Sequence, residues 1–482
     1  MNYRLVLNIL GKLITIVGLS MIAPLMWDLG QGEGVVLPFL YSLTITVGIG
    51  VMLSIFVKPG GDVRYKEGFT LVALAWLAAA FFGSLPYVFA NTFPSFADAF
   101  FESMSGFTTT GASVMTDIES NPKAIILWRA ITHWLGGLGI LVLFIAILSQ
   151  LGIGAMRIFK AEVPGPTKEK IKPRISETAK IFLLIYTALT ITQTGILLLL
   201  GISFFDAIVQ TFATVATGGF SSRNESIGAF GPAVQWTITV FMFLAGTNFA
   251  LYYLAILGKK PAVFWQNEEF RLYTYITLAA GGIISVVLWW TGYYESGEET
   301  LRTSLFQVVS ILTTTGFATV DYDQWPLLTK GIIIMLMFVG GCVGSTGGGL
   351  KVGRLLIMSK QTLLELNRAI HPRAYLSLKV NGRTVEQEVL ASIFQFFYLY
   401  ILVFMLAAIY MTGLGIDLIT SFSAVAASIG NVGPGLGLVG PAENFAFLPW
   451  HAKYVHSLLM LLGRLEIYTI LVLLLPGFWR RV

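Results

Sequence analysis

Long apolar runs separated by short polar loops dominate this chain of 482 residues. Ten of them, near 6–27, 35–57, 68–90, 124–150, 179–201, 233–257, 272–292, 327–357, 388–412 and 450–475, are long enough to cross a hydrocarbon layer of roughly 30 Å. Arg4 before the first run resembles the start of a secretion signal, but the run's length and the lack of an Ala-x-Ala-like site favour a retained helix. Four shorter apolar segments lie between the third and fourth, fifth and sixth, seventh and eighth, and ninth and tenth runs. Each ends in hydroxylic residues and glycine: Thr108-Thr109-Thr110-Gly111, Ala216-Thr217-Gly218-Gly219, Thr313-Thr314-Thr315-Gly316 and Ala427-Ser428-Ile429-Gly430.

Aligning Gly111, Gly219, Gly316 and Gly430 puts Asp98, Asp206, Thr303 and Asp417 thirteen residues earlier, all favoured helix N-caps. Small residues (Ser105, Ala213, Ser310, Ala424) stand six before each glycine, and hydroxyls (Thr109, Thr217, Thr314, Ser428) two before. The spacing predicts a capped helix of about three turns followed by an extended glycine-bearing segment. Non-helical backbone persists at membrane depth only where it lines water or is buried in protein. Helices ending at mid-membrane turn their partially negative ends toward a shared axis and favour a cation there, and the carbonyls that follow can replace its hydration shell. A single Thr-Gly pair would read as a helix-packing contact; four in phase predict a pore lined by Thr109, Thr110, Gly111, Thr217, Gly218, Gly219, Thr314, Thr315, Gly316, Ser428, Ile429 and Gly430.

The fold class expected is an all-α integral membrane protein: ten transmembrane helices plus four re-entrant pore helices, in four tandem helix–pore-loop–helix repeats with pseudo-fourfold arrangement. The expected divisions are a two-helix extension (1–66), repeat one (67–154), repeat two with its preceding linker (155–258), repeat three (259–360), a linker with a hairpin (361–384) and repeat four (385–482). Each repeat contributes an even number of crossings, so all four point the same way.

Composition agrees: 55% of residues are hydrophobic and 12% charged, and the mean hydropathy is +0.76. Lysine and arginine collect in loops that fall on one side, around Lys58–Lys66, Arg157–Arg174, Lys259–Arg271, Lys351–Arg383 and Arg480-Arg481. Acidic residues such as Asp117, Glu119, Glu225 and Glu443 collect on the other. Both termini are therefore expected in the cytoplasm, with the glycine segments entering from outside. The bases form no single patch, which argues against nucleic-acid binding. Cys342 is the only cysteine, so no intrachain disulfide can form, and His133, His371, His451 and His456 lack metal-ligand spacing. They read as structural or surface residues, and Arg129 with His133 as surface pairing or packing. With no nucleophile–base or metal cluster, neither an enzyme nor a resident cofactor is expected, only the transported ion.

The eighth run cannot be one helix, because Gly340 to Gly349 is mostly glycine and each interior glycine costs about 1 kcal/mol relative to alanine. Lys351 follows it, but Val352 breaks a phosphate-loop pattern; Gly435-x-Gly437-x-x-Gly440 lacks the strand-to-helix setting of a dinucleotide fingerprint. Arg464 lies inside the last run, where a charge is costly and points to function, and Glu466 sits on another face. Asn381-Gly382 between alternating residues predicts a hairpin over Ala374 to Val385, a plausible docking surface or a solvated loop near anionic lipid.

The four glycine segments, Trp134-Leu135-Gly136-Gly137-Leu138-Gly139, Gly340 to Lys351, Gly430 to Gly437 and Gly463-Arg464-Leu465-Glu466 together resemble the TrkH/TrkG/KtrB superfamily of potassium transport proteins over nearly the whole chain. The two extra N-terminal helices favour its bacterial TrkH-like members. The resemblance implies a potassium-selective conducting subunit of a gated uptake system in the bacterial inner membrane, since glycine rather than serine stands in all four filter positions. It implies a gate made of Gly344, Ser345, Thr346, Gly347, Gly348 and Gly349 with Arg464 as an electrostatic barrier. It also implies a homodimer associated with a cytosolic TrkA-type nucleotide-binding ring. A K+/Na+ or K+/H+ symporter with alternating access is the alternative, although it predicts inverted repeats and a central ionisable site.

Overall fold

The computed structural model describes residues 1–57, 65–139, 175–256, 258–374 and 376–479. The expected second half of the 124–150 run, the basic stretch Arg157–Arg174, Lys58, Arg64 and the terminal arginines lie outside them.

The apolar runs fold as helices α1 (Tyr3–Ser20), α2 (Ile22–Gln31), α3 (Val36–Phe56), α4 (Tyr65–Phe89), α5 (Phe96–Phe107), α6 (Lys123–Gly137), α7 (Ile175–Leu199), α8 (Phe204–Val215), α9 (Pro232–Ala245) and α10 (Phe249–Ile256). They continue as α11 (Glu268–Trp290), α12 (Gly297–Leu312), α13 (Leu327–Val339), α14 (Val352–Ile370), α15 (Gln387–Gly413), α16 (Leu418–Ile429), α17 (Trp450–Arg464) and α18 (Glu466–Leu474). Among the described residues, six helices are long and apolar enough to span a membrane, taking α1 and α2 as one. The total reaches eight if the bent pairs α9/α10 and α17/α18 each count as one span.

Apart from the 124–150 run, whose second half lies outside the described residues, the count differs from the ten runs for a physical reason. Hydropathy fixes what is buried in lipid or protein but not whether a run stays straight. The 233–257 run turns by 93° after α9, where Gly246 presses on the Thr313 side chain, and the 450–475 run turns by 119° after α17, where Gly463 abuts the Ile429 carbonyl. The 327–357 run breaks into α13 and α14, as its glycines require.

The short helices α5, α8, α12 and α16 form the middle of the molecule. Each packs against the helix that follows the glycine segment of the preceding unit: α8 against α6, α12 against α9, α16 against α13 and α5 against α17. The last contact joins the end of the chain to its beginning and closes a circle. An ion pair buried at that seam, Lys453 Nζ to Asp98 Oδ1 at 2.5 Å, ties α17 to the start of α5. Outside the circle α1 packs on α3 and α4, with Gly11 facing the Gly50 carbonyl so that the two backbones approach closely.

The hairpin forms as the Asn381-Gly382 signal requires. Strands β1 (Lys379–Val380) and β2 (Arg383–Thr384) pair antiparallel with Val380 opposite Arg383, and the two turn residues have φ 50° and 75°. Its tip is docked: Asn381 Oδ1 accepts the Glu268 N–H at 2.8 Å, and Lys360 on α14 pairs with Glu268 and donates to the Lys379 carbonyl at 2.9 Å.

Candidate cation pathway

The four short helices start and stop alike. Side chains of Ser95, Ser203, Ser296 and Asp417 cap them by accepting from the N–H of Asp98, Asp206, Glu299 and Thr420. Asp98, Asp206 and Thr303 are therefore not the caps. Asp98 and Asp206 occupy the third helical position, where their carboxylates accept from the cap serine at 2.6 and 2.8 Å.

Each helix ends in the same two-bond motif. The N–H groups of Thr110, Gly218, Thr315 and Val432 reach back five residues to carbonyls at 2.8–2.9 Å. Those of Thr109, Thr217, Thr314 and Asn431 reach back three, at 3.0–3.3 Å. The motif puts these last four in the left-handed region, with φ of 52–59°, where glycine is usual and a branched side chain is strained. Such strain, of order 1–3 kcal/mol each, persists only where surroundings enforce it and clusters at functional sites.

Two residues on, Gly111, Gly219, Gly316 and Gly433 turn the chain again, with φ of 79–100°. A Cβ on Gly111 would collide with the carbonyl oxygen of Gly218, on Gly219 with that of Thr315, and on Gly316 with that of Val432. On Gly433 it would lie 2.7 Å from that of Thr110. The order runs one to two to three to four and back to one, so the four segments surround one axis with glycine against carbonyl at every join. A cavity of about 170 Å³ opens beside these four glycines.

This ring corrects the fourth segment. Ser428 and Ile429 lie in the last turn of α16 and Gly430 caps it with φ −79°, while the ring is completed by Asn431, Val432 and Gly433. The Ser428 hydroxyl is bonded to His456 Nδ1 at 2.7 Å. The slip has a chemical cause: aspartate is favourable both as the cap and in the first turn, and equating Asp417 with Asp98 and Asp206 shifted the register by one turn. Sixteen residues separate cap from ring glycine in the first, second and fourth segments, a spacing the sequence carried.

The reading of Arg129 with His133 as surface pairing or packing is corrected in its surface half, since Arg129 is buried and packed. Its guanidinium is 1% exposed, pairs with buried Glu102 at 2.7 Å, and lies 4.0 Å over the Phe220 ring. Glu102 also accepts from the Val114 N–H at 2.9 Å, bracing the chain just after Gly111. His133 and His456 are buried behind the ring, as structural residues.

Beneath the ring lies the glycine-rich loop. Gly348 N–H donates to Thr314 Oγ1 at 2.7 Å, and Thr217 Oγ1 lies 3.2 Å from Thr346 Oγ1. A Cβ on Gly347 or Gly348 would sit 2.9 Å from the Thr313 carbonyl or 2.6 Å from that of Gly430. The loop thus touches the second, third and fourth segments, and only glycine fits there. Gly344 and Gly349 supply its left-handed turns (φ 78° and 71°), and Ser345 Oγ closes it on the Cys342 carbonyl at 2.6 Å.

Arg464 bridges what the loop does not reach. It donates to the Thr346 carbonyl at 2.7 Å and to the Gly136 and Gly137 carbonyls at 2.7 and 3.2 Å, at the end of α6. Its guanidinium, Lys351 and the loop line a cavity of about 100 Å³. Glu466 pairs instead with Arg354 at 2.5 Å. It holds φ 54° where Gly139, at the matching place after α6, has 69°. Arg354, Glu269 (which accepts the Val343 N–H at 2.6 Å) and Asn431 escaped the sequence reading. Their partners lie far along the chain, and only the Asn431 spacing left a local trace.

Four like turns from one chain around one axis, set among helices long and apolar enough to cross a bilayer, fit a multi-pass membrane transport protein. Residues 41–478 match the family model of TrkH, described as a cation transport protein, and the chain belongs to that family. It is 40% identical, over 100% of both chains, to the "Trk system potassium uptake protein TrkH" of Salmonella typhimurium and to that of Escherichia coli. The TrkG protein of Escherichia coli is 36% identical over 99% of both chains. The crystal structure of the potassium transporter TrkH from Vibrio parahaemolyticus superposes with a TM-score of 0.90, at 38% identity and 100% coverage of both chains.

Proposed function

We propose that this chain is the potassium-conducting subunit of a gated uptake system. Dehydrated K+ passes the carbonyl ring of Thr109–Gly111, Thr217–Gly219, Thr314–Gly316 and Asn431–Gly433. The observation that carries the reading is the closed order of glycine-to-carbonyl contacts, since four independent packing sites would have no reason to meet head to tail. The left-handed threonines and asparagine set the carbonyl directions, and fixed carbonyls substitute for water around a cation. The relatives' names as potassium uptake proteins support K+ as the ion.

In this reading ten spans and four re-entrant helices make up the repeats, with both termini and the basic loops in the cytoplasm of a bacterial inner membrane. The loop from Gly344 to Gly349, latched by Arg464, is the gate. The neutral ring favours gated conduction over coupled symport, which needs an ionisable or alternately exposed central site. A homodimer and a cytosolic nucleotide-binding ring on the 361–384 linker complete the assembly.

The test is flux of K+, Rb+, Na+ and Li+ into liposomes holding the purified protein, wild type against Gly316→Ser. The introduced serine would have to accept φ 81° and displace the Val432 carbonyl. The expected result is K+ and Rb+ preference in the wild type and a loss of K+ over Na+ preference by about tenfold in the variant. Equal ion preference in both would sink the ring as a filter.

A further inference from the structure

The four segments carry the same backbone but are not held from behind in the same way. In the first, Thr108 Oγ1 donates to the Met104 carbonyl at 2.7 Å and lies 2.8 Å from Thr110 Oγ1. In the third, Thr313 Oγ1 donates to the Val309 carbonyl at 2.7 Å and lies 2.8 Å from Thr315 Oγ1. With the first hydroxyl's proton committed to its helix, the second must donate to it, so a two-hydroxyl brace ties residue and carbonyl direction to the helix end. In the fourth, Asn431 Nδ2 donates to Thr110 Oγ1 and to the Met460 carbonyl, both at 2.9 Å.

The second segment has Ala216 and Gly218 where the first and third have threonines. No hydroxyl brace is possible there. The imidazole of His133, from α6 of the preceding unit, instead fills the space where a side chain on residue 218 would begin. Its Nε2 accepts the Phe220 N–H at 3.2 Å, and its ring lies 4.1 Å from the Phe220 ring. An Nε2 that accepts must be unprotonated, so the working species is the neutral ring with its proton on Nδ1.

We propose that His133 is the positioning residue of the second ring segment, and that its Nε2 acceptor bond, not its bulk alone, sets the Gly218 carbonyl and hence cation discrimination. The Gly218 carbonyl is the one that meets Gly111, so a shift there opens the ring between the first and second segments. Gly218, alone unbranched at that position, has the freest backbone of the four and the most need of an outside brace. The inference rests on the reading of the ring as a filter.

Four variants in proteoliposomes decide it, with K+/Na+ flux ratio as the readout and monodisperse elution as the folding check. His133→Gln keeps an acceptor; His133→Phe keeps volume and ring contact but no acceptor; His133→Ala keeps neither. Ala216→Thr/Gly218→Thr/His133→Ala rebuilds the brace of the first and third segments. The expected ratio is near wild type for Gln and lower by about tenfold for Phe and Ala, and the rebuilt brace should recover part of the loss seen in His133→Ala. A folded His133→Phe with the wild-type ratio overturns the proposal, because bulk then suffices. If the three single variants do not fold, a folded, discriminating rebuilt brace supports it and a non-discriminating or unfolded one overturns it. A wild type without ion preference would strike the filter reading instead, a separate outcome visible in the same experiment.

Discussion

Replacing Arg464 by alanine tests the proposed closure of the pathway by the glycine-rich loop. The guanidinium holds the loop through one charge-assisted bond to the Thr346 carbonyl at 2.7 Å and is itself anchored on Gly136 and Gly137. A hydrogen bond to a charged group contributes about 1.5–3 kcal/mol. If it is made only when the loop is closed, its loss shifts the closed-to-open ratio by roughly 10- to 150-fold. A pathway open about one part in a hundred would then be open roughly a tenth to three-fifths of the time. Thr346 keeps its other ties, its Oγ1 lying 3.2 Å from both the Val215 and Ala245 carbonyls with its proton shared between them, so the loop loosens rather than unfolds. The assay is rubidium uptake into K+-loaded proteoliposomes at matched protein incorporation. Arg464→Ala should raise the rate about tenfold or more, and Arg464→Lys, which keeps the charge but cannot bridge both sides with a planar fork, should fall between. A rate for the alanine variant equal to wild type would refute the latch. A lysine variant equal to wild type would assign the closure to charge alone.

The other expectations are narrower. Gly433→Ser should abolish K+ preference, since φ 100° and the neighbouring Thr110 carbonyl leave no room for a side chain. Ser428→Ala, which loses only a bond to His456, should keep that preference; the reverse result in ion-competition flux would restore the register read from the sequence. Arg129→Ala leaves Glu102 buried without its cation, a change that costs about 3–5 kcal/mol, and should lower the melting temperature in detergent by several degrees; a melt unchanged from wild type would show the pair to be dispensable. Deleting 376–384 removes the Asn381 cap from α11 and the carbonyl that Lys360 holds. Co-purification with a nucleotide-binding ring should weaken while flux of the isolated protein persists, and undiminished co-purification would remove the hairpin as its docking surface.

Much of this protein is written locally. The apolar runs, the Asn381-Gly382 turn, the glycine break before Lys351 and the threonine-glycine strings each depend on residues within a turn or two. Hydropathy and backbone sterics act at that range, so the sequence alone determined a membrane protein with four like turns, three of them in correct register, and an arginine set apart in the last span. The fourth register, the bends after α9 and α17, and the partners of Arg129, His133, Arg354 and Arg464 depend on chain segments far apart in sequence. Asp417 could cap or follow a cap with equal chemical sense; its bond from the Thr420 N–H and the meeting of Gly433 with the Thr110 carbonyl, where the last repeat reaches the first, decide it as the cap. A ring has no local signature at its point of closure, because the groups that close it belong to opposite ends of the polypeptide and meet only when everything between them has packed.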